Sequence, residues 1–292
     1  MSRRAVGLVL IIVGLLFGLV PLGMIEYESL TGRQRLDAHL TRLAAQDRAE
    51  QARTREAAAQ FNAAFEQTGR AARDPFESDL DPTDSEFAVA GEQFAHLVIP
   101  SIDVSLPLYL GASKQHLGVG LGQVEGTSLP VGGVGTRSVV AGHRGGFTNH
   151  FFLFVDQLEP GDRIYVIVQG ELLVYEVYGS EVILPSEWER LAAVDGQDTL
   201  TLLTCTPPPV NSHRLLVDAR RVLPPAGEAA AGNLDQLRSD LQQAELAPTA
   251  SGARMWMWVS RVALVVLMIG LVWTVVRLAR LPWGADRDRP VG

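Results

Sequence analysis

The chain has 292 residues, of which 47% are hydrophobic, which is enough for one sizeable core with additional segments. Its formal net charge of -8 argues against nucleic-acid binding, and no basic stripe runs through the central part of the sequence. A single cysteine, Cys205, excludes an intramolecular disulfide framework but leaves an extracytoplasmic location open.

The first segment, residues 1–30, holds a nearly continuous apolar run from Ala5 to Ile25 behind Arg3 and Arg4. The run is long enough to cross a bilayer, although a cleaved signal peptide has the same basic start and apolar centre. Because no small-x-small cleavage site follows the run, we favour an uncleaved signal anchor.

Residues 31–93 are predicted to form a helical segment followed by a loop. Between Thr31 and Gly69 the apolar residues recur at helical spacing, for example Phe61 and Phe65, which predicts one or two amphipathic helices. An acidic stretch with two Asp-Pro turns follows, and composition alone predicts an exposed linker there.

Residues 94–224 consist of short apolar runs separated by Gly and Pro, which predicts an all-β barrel or sandwich. Two short helices are predicted at Phe151–Leu158 and Ser186–Ala193. The eight predicted strands are Ala95–Ile99, Val104–Leu110, Ser138–Ala141, Arg163–Val168, Glu171–Ser180, Val182–Leu184, Thr199–Thr204 and Leu215–Val222.

Residues 225–253 are predicted to be a linker with one helix, Asn233–Leu246, that leads to a second apolar run. This run defines a transmembrane helix over 254–279, with Arg261 inside it and an arginine-rich tail over 280–292. Positive charge outside both apolar runs predicts a membrane protein with two spans, both termini in the cytoplasm and the middle of the chain outside.

Cys205 closes the apolar run Thr199–Thr204 and is followed by three prolines, which places a thiol at the end of a strand. A lone cysteine is most often inert, but two further residues favour chemistry. His143 follows a strand and can deprotonate the thiol, and Arg214 opens the next strand as a permanent cation. His213 is an alternative base, but strand alternation directs it away from the face of Arg214.

Three blocks of sequence resemble the class C, pilin-specific sortases of Gram-positive bacteria. The resemblance extends from about Phe61 to Leu223, and the blocks are 126–133 (GTSLPVGG) with 141–145 (AGHRG), 201–207 (TLLTCTP) and 210–217 (VNSHRLLV). It implies a mainly-β fold, the eight-stranded sortase barrel, and a cysteine transpeptidase in the cysteine-endopeptidase class of hydrolases.

By position, the resemblance implies that Cys205 is the nucleophile, His143 the general acid/base and Arg214 the residue that binds substrate and stabilises the oxyanion. The implied reaction cleaves an LPXTG-like sorting signal between Thr and Gly through a thioacyl enzyme. A lysine of the next pilin subunit then forms an isopeptide bond. The implied partners are pilin subunits and the membrane, and no metal or organic cofactor is implied.

The same resemblance gives the acidic loop a role, because class C sortases carry a lid with an Asp-Pro-aromatic motif. Asp74, Pro75 and Phe76 match that motif. Two departures affect substrate preference: three prolines after Thr206 replace a common Pro-Tyr-Gly, and Asp218-Ala219 replaces a frequent Arg-Gly.

Two other functions remain open at this stage. A sortase can anchor surface proteins to a peptidoglycan precursor, although the lid and the second span argue against this by analogy. A non-enzymatic membrane-anchored adhesion domain is the alternative from another class, and in that case Cys205 would be dispensable.

Overall fold

The computed structural model describes residues 3–65, 72–76, 92–145, 151–222 and 252–280. The chain forms two compact units, of which the first comprises Met1–Tyr27 with Met255–Gly292 and the second comprises Glu28–Arg254. The predicted helix Asn233–Leu246 lies outside the described residues.

The second unit is built on a closed barrel of eight strands, as the sequence predicted. The order around the barrel is β1-β2-β3-β4-β7-β8-β6-β5, and β5 closes it against β1. Two neighbouring pairs are parallel, β2 with β3 and β4 with β7. The strands are β1 (Ala95–Ile99), β2 (Val104–Leu110), β3 (Leu121–Gln123), β4 (Thr136–Ala141), β5 (Arg163–Val168), β6 (Glu171–Ile183), β7 (Asp198–Thr206) and β8 (His213–Arg221).

Two strand predictions were wrong although the strand count was right. β6 is one strand of 13 residues, because pairing with β8 continues past a register shift between Val177 and Gly179, whereas the sequence predicted two strands. β3 was missed because its three residues are too few to show alternation. At Gly122 in β3 a Cβ would lie 2.5 Å from the Cα of Ala112, so the close approach of this strand requires glycine.

Four helices accompany the barrel in the described residues: α1 (Arg3–Ala45), α2 (Arg48–Phe65), α3 (Lys114–Val119) and α4 (Gly252–Ala279). The predicted helices at 151–158 and 186–193 are shorter than expected and are single helical turns, Val155–Gln157 and Trp188–Leu191. The amide of Asn62 in α2 exchanges two hydrogen bonds with the backbone of Leu129, at 2.7 and 3.1 Å, and so holds α2 against the barrel.

Alternate residues of the strands form two apolar clusters. The inner cluster fills the barrel and includes Val140, Leu200, Leu202 and Val217. The outer cluster covers the opposite face of β4, β7 and β8, and consists of Ala112, Leu117, Val124, Val139, Ala141, Ile183, Leu191, Leu203 and Leu216. Both faces of β7 are therefore buried along most of its length.

A buried polar network lies on the outer face of the same three strands. Arg137 of β4 donates to a carboxylate oxygen of Asp218 at 2.6 Å and to the hydroxyl of Thr201 at 2.9 Å. It also donates to the backbone carbonyls of Arg190 and Ala192, at 2.7 and 3.3 Å. The network thus gives Asp218, one of the departures from the family pattern, a charged partner and attaches the β6–β7 connection to the sheet.

We expect Asp218→Ala to destabilise the barrel by about 3–5 kcal/mol, because it leaves the guanidinium of Arg137 buried without its counter-ion. Urea unfolding of the chain in detergent micelles, followed by tryptophan fluorescence, measures the change. The matched control is Arg220→Ala, which removes an exposed pair with Glu176 and should change stability by less than about 0.5 kcal/mol. Equal losses in the two variants would contradict this account.

Two buried histidines meet where α1 packs on the barrel. The rings of His39 and His96 stack with centroids 5.8 Å apart, and His96 Nε2 lies 3.0 Å from the hydroxyl of Ser105. Burial, with a smaller contribution from Arg42, lowers the pKa of His39 to about 4. Burial, with smaller contributions from His39 and Arg35, lowers the pKa of His96 to about 3. Both rings are therefore neutral in the folded protein at neutral pH.

The barrel should lose stability as pH falls below about 6.5, because the unfolded imidazoles then bind protons that the folded ones do not. The loss should continue until pH reaches the lowered folded values. His39→Phe keeps a stacked ring and removes one titrating group, so its Tm should fall less between pH 7 and pH 4.5. The control His213→Phe, on the half-exposed start of β8, should follow the unmodified chain. Parallel Tm–pH curves for all three proteins would exclude this role of His39.

The first unit pairs the beginning of α1 with α4. A Cβ on Gly18 would lie 3.4 Å from Leu267, and a Cβ on Gly270 would lie 3.7 Å from Leu15, which describes antiparallel packing with glycines at the contact. Arg261, the charge inside the second apolar run, forms an ion pair with Glu26. Among the described residues, one stretch is long and apolar enough to cross a membrane, Trp258–Ala279, and a shorter apolar helix covers Ala5–Val20.

Candidate active site

The parallel pairing of β4 with β7 brings His143 to Cys205. The last ladder pair is Ala141 with Leu203, and the amide of Gly142 continues the ladder by donating to the carbonyl of Leu203 at 3.1 Å. Two residues further along, continuation of the same register matches His143 with Cys205, and adjacent strands are about 4.8 Å apart. Period-two alternation places both side chains on the face that carries the outer cluster.

The antiparallel pairing of β7 with β8 places Arg214 beside Cys205. We refer to His143, Cys205 and Arg214 as the row. Cys205 is the register partner of Arg214, and Thr206 is the partner of His213. His213 therefore alternates to the other face of β8, where its Nδ1 lies 2.9 Å from the hydroxyl of Ser212. The three residues singled out from the sequence thus lie on three neighbouring strand ends.

The thiol stands at the rim of the barrel in a partly exposed position. The chain turns directly after it, and Asn211 closes this turn with a positive φ of 58° and a 2.8 Å hydrogen bond to the carbonyl of Pro207. Since prolines cannot extend the ladder, β7 ends one residue after the cysteine, which leaves the thiol accessible.

Arg214 is buried and held by an acidic partner from far away in the sequence. Its Nε and Nη2 donate to one carboxylate oxygen of Asp74 at 3.0 and 2.7 Å, and the two side chains are only 3% and 7% exposed. Its Nη1 donates to the carbonyls of Asn211 and His213, each at 3.0 Å. All three guanidinium nitrogens are therefore engaged in this state.

The ring of Phe76 lies over the site. Its centroid is 5.7 Å from that of the His143 imidazole and 5.4 Å from the guanidinium carbon of Arg214, which is a cation–π contact. The other carboxylate oxygen of Asp74 accepts the amide of Phe76 at 2.9 Å, and Pro75 between them is buried. The three residues form one tight turn that contacts two members of the row.

Burial lowers the pKa of His143 below its ordinary value. The imidazole is therefore neutral around pH 7 and can accept a proton from a neighbouring thiol. Phe76 contributes to this burial because its ring packs against the imidazole.

The outer cluster continues from the row along the same face of the sheet. Phe76 and Trp188 both pack against the outer cluster, Phe76 from the 72–76 segment and Trp188 from the β6–β7 connection. The described residues contain no group of three or more His, Cys, Asp or Glu side chains arranged to hold a metal ion.

Comparison with known proteins identifies this architecture. A family model described as the sortase domain matches residues 97–222. Sortase C-1 from Actinomyces oris is 41% identical, with a TM-score of 0.56, and the match covers 60% of this chain and 99% of that structure. The chain belongs to the sortase family. Sortase C-3 from Streptococcus pneumoniae is 32% identical, with a TM-score of 0.63, over 71% of this chain and 97% of that structure.

Curated relatives give more distant matches to this sortase. Sortase A from Streptococcus agalactiae serotype III (strain NEM316) is 25% identical over 126 residues, which is 42% of this chain and 50% of that relative. The chain spans about half the length of the curated relatives it matches. The solved structures that resemble it include class C sortases, in agreement with the resemblance noted from the sequence.

Sequence reasoning missed several residues around the row. Asn211 supports Arg214 through its carbonyl, and the hydroxyls of Thr204 and Thr206 bond to the chain on either side of His143. The only available signal was that both threonines flank the cysteine on the face opposite to it. Arg144 is the fourth residue of the set, and its position directly after the histidine carried no information about its partner.

We expect Asp74→Ala combined with Phe76→Ala to speed alkylation of Cys205 by iodoacetamide at least about tenfold, because both contacts that cover the row are then lost. Because the chain has one cysteine, mass spectrometry of the intact protein follows this site alone. The matched control is Arg73→Ala, an exposed change in the same segment. Unchanged labelling kinetics in the double variant would remove the lid assignment.

Proposed function

We propose that this sortase is a membrane-anchored cysteine transpeptidase that joins pilin subunits. The row of His143, Cys205 and Arg214 across three adjacent strands carries the proposal, because it combines a nucleophile, a base and a fixed cation. Their roles are those expected from the sequence: nucleophile, general acid/base, and stabiliser of substrate and oxyanion.

In the first half of the reaction, His143 takes the proton of the Cys205 thiol, and the thiolate attacks the Thr carbonyl of an LPXTG-like sorting signal. The tetrahedral oxyanion forms close to the guanidinium of Arg214. The C–N bond to Gly then breaks, and the imidazolium of His143 gives its proton to the departing amine. A thioacyl enzyme remains.

In the second half, the ε-amine of an acceptor lysine attacks the thioester carbonyl. His143 accepts a proton from this amine, the C–S bond breaks, and the thiolate of Cys205 is regenerated. The product is an isopeptide bond between two subunits. The reaction needs no redox partner, because amide, thioester and isopeptide are at the same oxidation level.

The turn of Asp74, Pro75 and Phe76 acts as a lid over this row. While Asp74 occupies two nitrogens of Arg214, that guanidinium cannot bind a substrate carbonyl. The ring of Phe76 covers His143 in the same state. The lid therefore has to leave before the sorting signal binds, and the described geometry is a resting state.

The solved structures of similar proteins support a pilin, rather than another molecule, as the acceptor in the transfer reaction. The titles of two of them describe a sortase C1 of a pilus island and the pilin substrate specificity of a Streptococcus pneumoniae sortase C. The match covers 94% and 98% of those structures, at 37% and 34% identity. The Asp-Pro-Phe lid supports the same class.

We place α1 and α4 in the membrane as two spans, both chain termini in the cytoplasm and the barrel outside the cell. Trp258–Ala279 is long and apolar enough for one span. The contacts of Gly18 and Gly270 support a second, antiparallel span formed by α1. The ion pair of Arg261 with Glu26 lowers the cost of a charge within the apolar run.

A transfer assay tests the proposal. The full chain in detergent micelles is incubated with a candidate pilin that carries an LPXTG-like signal and surface lysines, and products are resolved by gel electrophoresis and mass spectrometry. We expect a ladder that is abolished by Cys205→Ala or His143→Ala, and an about 100-fold or larger loss of rate for Arg214→Lys. The matched control His213→Ala, on the other face of β8, should retain the ladder.

Other outcomes would identify the alternatives. Transfer to a peptidoglycan stem peptide, with no transfer to pilin lysine, would indicate a wall-anchoring sortase. Release of a free threonine carboxylate in excess pilin would indicate a hydrolase. Unimpaired adhesion by Cys205→Ala, without any cleavage, would indicate a non-enzymatic adhesion domain.

A further inference from the structure

The two neighbours of the nucleophile form hydrogen bonds with the two neighbours of the base. Thr204 donates its hydroxyl hydrogen to the carbonyl of Gly142 at 2.7 Å. Arg144 donates from Nη1 to the hydroxyl of Thr206, also at 2.7 Å. Cys205 thus lies between two threonines whose side chains reach the two neighbours of the histidine.

This double contact matters because His143 lies beyond the end of its strand. The β4–β7 ladder ends at Ala141, and the amide of Gly142 makes the last backbone bond across to β7. Past that point no ladder bond fixes the backbone of the histidine in the β7 direction. The bond from Arg144 to Thr206 falls one residue further along the same register and replaces the missing ladder bond with a side chain.

Arg144 is itself fixed from the opposite side. Its Nη2 lies 2.5 Å from a carboxylate oxygen of Asp156, and its side chain is 10% exposed. Asp156 belongs to the helical turn Val155–Gln157, and the first residue of that turn is buried in the inner cluster. A planar guanidinium held at two nitrogens has little freedom to rotate. Arg144 therefore fixes the loop that carries His143 relative to β7.

The backbone at Gly142 packs closely against two buried side chains. A Cβ at Gly142 would lie 2.6 Å from Leu121 and 2.8 Å from Phe152. The amide of Phe152 in turn donates to the carbonyl of His143 at 2.9 Å. The backbone of the base is therefore held before, at and after the histidine.

We propose that Arg144 and Thr206 are positioning residues that extend the β4–β7 register past the strand end and keep the His143 imidazole opposite the Cys205 thiol. The consequence of this positioning for transpeptidation rests on the proposed function. The pairing of the thiol with the imidazole, by contrast, can be measured without any sorting signal. A displacement of about 1 Å between reacting groups lowers rates about 100-fold, so this pair controls activity without contacting substrate.

The test uses Thr206→Val, which removes the hydroxyl and keeps the branched shape, and Arg144→Met, which keeps most of the apolar stem. Thr206→Ser restores the hydroxyl and should restore activity. The matched control is Thr199→Val, because Thr199 donates to the carbonyl of Thr136 at 3.2 Å between the same two strands, at their far end. All variants are made in the full chain in detergent micelles, with and without the lid substitutions Asp74→Ala and Phe76→Ala.

Two measurements are made on each variant. The first is kcat/KM for cleavage of an LPXTG peptide, which should fall about 10- to 100-fold in Thr206→Val and Arg144→Met and stay within about twofold of the parent in Thr199→Val. The second is the pH profile of iodoacetamide labelling of Cys205 in the lid-open background, with and without His143→Ala. In the parent, His143→Ala should slow labelling at neutral pH.

In Thr206→Val and Arg144→Met the same histidine substitution should have little further effect, because the imidazole no longer faces the thiol. The proposal is overturned if His143→Ala slows labelling by the same factor in these variants as in the parent. It is also overturned if Thr199→Val lowers kcat/KM as much as Thr206→Val does. If no LPXTG peptide is cleaved by the parent, the proposed function fails, and the labelling cycle still decides the positioning role.

Discussion

The parallel pairing of β4 with β7 is the constraint on which the rest of the site depends. Register in a sheet is all or none, because a slip of one residue moves every side chain of a strand to the other face. Here β7 is buried on both faces, with Leu202 inside the barrel and Leu203 in the outer cluster, so a slip would exchange the side chains packed in the two clusters and move Cys205 to the inner face. Packing of leucines thereby fixes where the thiol stands.

Two buried Arg–Asp pairs on the same face of the sheet have different consequences. Arg137 and Asp218 both belong to barrel strands, so their pair is part of the scaffold and fixes the β6–β7 connection. Arg214 also belongs to the barrel, but its partner Asp74 lies outside the barrel, in the segment 72–76 between α2 and β1. Removing either acid leaves a buried cation, and in the proposed mechanism only Arg214 gains a replacement partner from a substrate. The same interaction is structural in one place and exchangeable in the other.

The sequence predicts well what short-range patterns determine. β1, β2 and β5 begin and end where predicted, because alternation is clear and turn residues bound each run. Three-residue β3 lacks such a pattern, and nothing local to Glu171–Ile183 shows that pairing with β8 continues through a bulge. Cys205, His143 and Arg214 were recognisable as residue types at strand ends, but long-range pairs such as Arg137 with Asp218, 81 residues apart, depend on packing that one sequence does not reveal.

The order of strands has a consequence for when the enzyme becomes active. β7 is inserted between β4 and β8, and β5 and β6 are synthesised between β4 and β7. Such non-local pairings form late in folding, since long loops have to close first. An unfolded chain therefore holds Cys205 apart from His143 and Arg214, and the three residues come together only when the barrel is complete. Under the proposed function, immature copies of the protein are in this way unable to form the thioacyl intermediate.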